Sequence, residues 1–136
     1  MIRTLIIDDE AHIRDTLSKL LYRHCKQVSV VGEAVGVKDG LTAIKRLHPD
    51  LILLDINMAD GTGFDLLHDI KNIDFKVIFV SSFDKNMVLA FKLSNIAYLQ
   101  KPISPVDLCE AVKYVEEVQS GEMNLMLKAL DVNVRK

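Results

Sequence analysis

Short apolar runs and amphipathic stretches alternate along the whole chain, and the period of the pattern changes each time. Consecutive apolar residues ended by turn formers mark strands buried on both faces. Apolar residues recurring at three- and four-residue intervals mark helices. Thr4-Leu5-Ile6-Ile7 is the first run, and it stops at Asp8-Asp9-Glu10. Acidic residues there suit the positive end of a following helix. Ile13, Leu17, Leu20 and Leu21 share one face of that helix, which reaches about His24. Val28 to Ala34 predicts a second strand, ending in a turn at Gly32 to Gly36. After Asp39-Gly40 comes a helix with Leu41, Ile44 and Leu47 inward, stopped by Pro49.

The central run is Leu51-Ile52-Leu53-Leu54, closed by Asp55. Asp60-Gly61-Thr62-Gly63 reads as a flexible loop, followed by a helix carrying Phe64, Leu67 and Ile70. Val77 to Val80 is a fourth strand, running into Ser81-Ser82-Phe83-Asp84, and Met87, Val88, Phe91 and Leu93 mark the inward face of the next helix. Ala97-Tyr98-Leu99-Gln100 is a short fifth strand closed by Lys101-Pro102. Ser104-Pro105-Val106-Asp107 opens a last helix: a capping hydroxyl, proline at the first helical position and an acid three residues on. Leu108, Val112 and Val115 face inward, and the helix is expected to last to about Gln119, with Ser120-Gly121 as its stop. Met123 to Leu130 reads as a further helical stretch or an extension, and Asp131 to Lys136 as tail or linker. Five strand–helix units predict an α/β fold, a parallel sheet with helices on both sides.

Composition narrows the picture in three places. At 136 residues the chain is one domain, with a core large enough to need neither disulfides nor structural metal. A net charge of −2 gives no reason to expect a nucleic-acid surface on this segment. Cys25 and Cys109 sit inside helical patterns without metal-ligand spacing, and they read as reduced helix residues of a cytosolic protein. No apolar run approaches the ~20 residues of a membrane span, and no signal-peptide pattern opens the chain, so a cytoplasmic location is expected.

In a parallel sheet the strand ends gather on one edge, where open α/β folds bind ligands. Arriving there are Asp8, Asp9 and Glu10, then Asp55, Ser81 and Lys101. Crowded carboxylates repel one another and favour a bound divalent cation, and Mg2+ with oxygen ligands is the expected ion. A backbone carbonyl just past Asp55 can add a ligand. A hydroxyl at Ser81 and an ammonium at Lys101 suit an anion carried by Asp55, which together is the apparatus of phosphoryl transfer to an aspartate. Taken singly these residues mean little: an Asp-Asp pair caps helices, a serine ends many strands, and Lys-Pro makes a turn. Their joint occurrence in order, each closing a different strand, carries the reading.

Over roughly residues 2 to 120 the chain resembles the receiver domain of bacterial two-component response regulators. The resemblance rests on Ile6-Ile7-Asp8-Asp9-Glu10, Pro49-Asp50-Leu51-Ile52-Leu53-Leu54-Asp55-Ile56, Gly63, Val80-Ser81 and Tyr98-Leu99-Gln100-Lys101-Pro102. It implies a flavodoxin-like (βα)5 fold with strand order 2-1-3-4-5. By the same resemblance Asp55 accepts a phosphoryl group from a sensor histidine kinase. Asp8 and Asp9 (mainly Asp9), Asp55 and the backbone carbonyl of Asn57 hold Mg2+, while Ser81 and Lys101 engage the phosphoryl oxygens. It further implies a cis Lys101-Pro102 peptide. It also implies a switch, in which Ser81 moves inward, Tyr98 rotates after it, and the surface of helix four, strand five and helix five is remodelled, the surface through which the family often dimerises. The reading of Tyr98 as a plain strand aromatic stays open beside this. Ala59 stands where the family commonly has proline, which predicts a more mobile loop, and Ser81 stands for threonine. Phe83 is expected to shield a phosphoaspartate from water.

The segments 60–67, 74–79 and 90–94 are similar to receivers of LytTR-type transcription regulators. That resemblance implies a DNA-binding output domain beyond this chain, with 1–120 as receiver and 121–136 as tail or linker. A stand-alone phosphorelay shuttle is the alternative. An aspartyl-phosphate hydrolase would need an acid/base carboxylate at position 57, which is asparagine. No glycine-rich phosphate fingerprint or P-loop follows the first strand, which disfavours a nucleotide-binding module.

Overall fold

A computed structural model describes residues 1–135. Five parallel strands form one sheet: β1 (Ile2–Ile7), β2 (Val28–Ala34), β3 (Leu51–Asp55), β4 (Lys76–Ser81) and β5 (Tyr98–Gln100), in the order β2-β1-β3-β4-β5. The helices are α1 (Ala11–His24), α2 (Val37–Leu47), α3 (Gly63–His68), α4 (Lys85–Leu93), α5 (Pro105–Glu117) and α6 (Ser120–Arg135). This is the flavodoxin-like (βα)5 arrangement, order 2-1-3-4-5. Because parallel crossovers are right-handed, reversing the direction of travel after β2 sends α1 to one face and α2, α3 and α4 to the other. α5 joins α1, and α6 packs against α4.

β3 lies at the centre because every residue of it can be buried: Leu51 to Asp55 are all enclosed. Leu5, Ile6 and Ile7 of β1 and Val77, Ile78 and Phe79 of β4 flank it with no exposed surface. Each such aliphatic or aromatic side chain contributes about 1.5–3 kcal/mol. Leu17 and Leu21 cover one face, with Ile13 and Leu20 packed beside them, as the helical spacing predicts.

Several elements differ from expectation for identifiable reasons. α2 starts at Val37, before Asp39-Gly40, because its first N–H groups are capped from a distant loop. Asp60 accepts from Val37 N (2.8 Å) and Lys38 N (3.1 Å), and these two bonds hold its carboxyl below the usual range. The loop after Asp55 is a tight hairpin, with Asn57 paired to Thr62 and Met58 to Gly61. Gly61 turns it at φ 145°, a conformation that favours glycine. Thr62 and Asp65 then form a reciprocal capping box for α3. On α4, Leu93 faces out (63% exposed) and Ala90 takes the inward place beside Phe91.

Cys25 lies past the end of α1, as its C-cap, and its side chain meets Cys109. At the other end, α5 stops at Glu117 because Val118 turns extended to bury its side chain. Ser120-Gly121 therefore opens a helix where a stop was expected. Within the segment expected as tail or linker, α6 buries Met123 and Leu130, seven residues apart on one helical face, and Asn133 Nδ2 donates to Ser94 Oγ (2.8 Å).

Candidate functional site

At the carboxyl edge of the sheet, β1 delivers Asp8 and Asp9, β3 delivers Asp55, β4 delivers Ser81, and the chain leaving β5 delivers Lys101. Asp8 and Asp55 are almost wholly buried (1% and 2% exposed), and Ser81 is buried beside them. Carboxylate oxygens of Asp8, Asp9 and Asp55 lie within 4.8 Å of one another. Asn57, at the rim, is exposed, and its backbone pairs with Thr62 in the hairpin.

Backbone contacts set this geometry. Asp8 N donates to Ala34 O (3.1 Å), and Asp8 Oδ1 accepts from Glu10 N (2.9 Å), so the first carboxylate is clamped by its own turn. Gly63 N donates to Ile56 O (2.8 Å), closing the loop over the end of β3. Glycine is required there: a Cβ at position 63 would stand 2.7 Å from the carbonyl oxygen of Asp55. Lys101 N donates to Ser81 O (3.1 Å), tying the ends of β4 and β5 together, and the Lys101-Pro102 peptide that follows is cis.

The Lys101 ammonium sits between three acids. It stands 3.1 Å from Asp8 Oδ2, 3.1 Å from Glu10 Oε2 and 3.6 Å from Asp55 Oδ2. Burial works against its charge, but the close carboxylates of Asp8 and Glu10 and the charge of Asp55 prevail and raise its pKa. One cation does not satisfy the cluster. Burial first, then the negative charge of Asp8, pushes the Asp55 carboxyl from 3.8 up to about 6, against the pull of Lys101 and the Ser81 hydroxyl. Asp55 Oδ1 is buried with no hydrogen-bond partner among the described residues. Asp8 Oδ2 meets the ammonium only as an ion pair, out of line for a hydrogen bond. A buried acceptor left open and a surplus of negative charge fit a hard divalent cation.

Two supporting residues escaped the sequence reading. Arg14 donates through Nη1 to the backbone oxygen of Asp8 (2.7 Å) and pairs through Nε with Glu33 (3.0 Å), so it braces the Asp8 turn against β2. Asp60 anchors the hairpin to α2. The sequence marks Asp60 only as loop and Arg14 not at all, since both act across elements that only folding brings together. Glu10, read as part of the acidic turn, also shares Lys101.

Tyr98 is half-buried, its ring stacked on Phe91 (centroids 5.3 Å apart) and edge-on to Phe83 (5.9 Å). Phe83 in turn meets Phe91 (4.8 Å), and Phe91 stacks on Phe79 (5.3 Å). The loop after Ser81 is thus linked through aromatic contacts to α4 and β5.

Residues 4–113 match the model of the response regulator receiver domain. The chain is 32% identical to the sensory transduction protein LytT of Bacillus anthracis, over 97% of its own length and 55% of the relative's. It is 38% identical to an uncharacterized response regulatory protein of Vibrio parahaemolyticus, over 88% of its own length and 50% of the relative's. The chain therefore spans about half the length of these curated relatives. Among solved structures, the fold is that of a LuxR-family DNA-binding response regulator from Staphylococcus aureus, with TM-score 0.74 and 24% identity over 86% of this chain and all of that one. The signal receiver domain of a NarL response regulator from Mycobacterium tuberculosis gives TM-score 0.73 at 24% identity, over 87% and 98% of the two chains. With this sheet order and this acidic edge, the chain belongs to the response regulator receiver domain family of two-component signalling, with LytT proteins among its relatives.

Proposed function

We infer that Asp55 is the phosphoacceptor of this receiver, and that its phosphorylation by a sensor histidine kinase switches a downstream output. The observation that carries the reading is the buried Asp55 carboxylate with one open oxygen, set between Lys101 and the hydroxyl of Ser81. In the transfer, a carboxylate oxygen of Asp55 forms the new P–O bond as the P–N bond to the kinase histidine breaks. Lys101 is placed to neutralise the arriving phosphoryl oxygens, and Ser81 to donate a hydrogen bond to them. Asp8, Asp9, Asp55 and the carbonyl of Asn57 would hold Mg2+, which supplies positive charge against the carboxylates and the phosphoryl oxygens. Asparagine at 57 leaves no carboxylate two residues past Asp55 for acid/base turnover, which favours a switch over a hydrolase.

The new charges, roughly two, draw on Ser81 and its loop. Phe83 follows Ser81 and touches both Phe91 and Tyr98, so a shift there is transmitted to α4 and β5. α4 and α5 expose Leu89, Leu93 and Val106, apolar side chains that suit a homodimer through α4, β5 and α5. α6 packs on α4 and is the natural linker to an output domain, which in LytTR-type regulators binds DNA. No helix among the described residues is long and apolar enough to cross a membrane, and the proposed kinase partner places the domain in the cytoplasm.

The test is intact-protein mass after incubation with acetyl phosphate, with and without Mg2+, for the wild type and Asp55→Asn. A single Mg2+-dependent phosphoryl adduct that the variant lacks supports the reading. No adduct where a control receiver is labelled overturns it.

A further inference from the structure

We propose that Cys25 and Cys109 are a redox site, closing to an intramolecular disulfide when the chain meets a peroxide. The two residues lie 84 positions apart in sequence, yet their Sγ atoms are 3.5 Å apart, where the end of α1 meets the first turns of α5. A disulfide brings sulfurs to about 2.05 Å, so closure asks the pair to approach by about 1.5 Å. Cys25 caps α1 at φ −122° and ψ 79°, with its N–H held by Leu21 O (2.9 Å), so the approach falls on the two side chains.

The two thiols are unequal, and the inequality sets the order of events. Cys109 is partly exposed, and its Sγ lies 3.8 Å from the carbonyl oxygen of His24. Cys25 is buried, 2% exposed, and burial together with the neighbouring Cys109 sulfur pushes its thiol up to about 12. Cys109 therefore reacts first. Its thiolate attacks a peroxide oxygen, the S–O bond forms, the O–O bond breaks, and the departing hydroxide takes up a proton to leave as water. Cys109 is then a sulfenic acid. The Cys25 sulfur attacks the Cys109 sulfur, the S–S bond forms and the S–O bond breaks. The second hydroxide carries off the Cys25 proton as water. For hydrogen peroxide, two thiols and one peroxide give one disulfide and two waters, and a dithiol reverses the reaction. Cys25 thus serves as a resolving thiol, protected from direct oxidation by its burial.

The experiment treats the full chain with hydrogen peroxide and reads intact mass, alkylation of free thiols and the mass of the cross-linked peptide. The expected product is a monomer lighter by two hydrogens, with both thiols lost together, a Cys25–Cys109 peptide, and full recovery on adding dithiothreitol. Cys109→Ser is expected to abolish peroxide-dependent modification, and Cys25→Ser to trap a dimedone-reactive sulfenic acid on Cys109. Three wild-type outcomes would overturn the proposal: Cys109 oxidised while Cys25 stays alkylatable, a dimer linked through Cys109, or both thiols unchanged beside a control protein that forms its disulfide.

Discussion

Removing the negative charge of Asp55 by Asp55→Asn is expected to stabilise the domain when divalent cations are chelated. The side chain keeps its shape but no longer places a second buried charge beside Asp8, and Lys101 retains Asp8 and Glu10, each at 3.1 Å. Raising a carboxyl from 3.8 to about 6 corresponds to about 3 kcal/mol against the ionised form at neutral pH. The pocket mouth is open to water near Lys101, which is 14% exposed, so screening lowers this to about 1–2 kcal/mol. For a domain of this size that is about 3–8 °C in Tm. The sign of the pH dependence follows from the same values. With its folded-state pKa raised, Asp55 leaves stability intact below 3.8, and stability is lost as pH rises through about 6. The advantage of the variant is therefore full above about pH 6 and shrinks toward zero as pH falls to about 4. Thermal or urea unfolding of both proteins in EDTA, from about pH 5 to 8, measures it. Adding Mg2+ is expected to stabilise the wild type more than the variant and narrow the gap. A variant less stable than the wild type at neutral pH, or a gap unchanged by pH and Mg2+, would refute the electrostatic account.

Gly63→Ala places a methyl 2.7 Å from the Asp55 carbonyl and 3.1 Å from Leu54 Cγ, both rigid neighbours, and is expected to cost about 1–3 kcal/mol in urea unfolding and to slow labelling by acetyl phosphate. Leu130→Ala opens a cavity under α6 and is expected to cost about 2–4 kcal/mol, while phosphorylation of Asp55 persists; loss of labelling would instead tie α6 to the site. Phe83→Ala removes an aromatic partner of both Phe91 and Tyr98, and is expected to shorten the lifetime of a phosphoaspartate that is otherwise slow to hydrolyse. Fast label loss that is the same in wild type and variant would count against a shielding role for this ring.

Much of this protein is determined locally and is therefore visible in the chain alone. Strands buried on both faces must be continuous apolar runs, so β3 is legible from Leu51 to Leu54, and α1, which packs against β1 and β2, from the spacing of Leu17 and Leu21. Because strand ends in a parallel sheet share one edge, Asp8, Asp55, Ser81 and Lys101 could be brought together on paper before any distance was known. What the tertiary structure decided depends on contacts between segments far apart in sequence. The cap of α2 comes from Asp60, the brace on Asp8 comes from Arg14, and the two sulfurs meet only because α1 and α5 lie side by side. The segment after Val118 is a further case: its apolar spacing was visible, but whether it trails or docks depends on a groove beside α4 that exists only once the sheet is formed. The electrostatic state of Asp55 belongs to the same class. A carboxylate is written in the sequence; the burial and the neighbouring charge that hold it up to about 6 arise only in the fold.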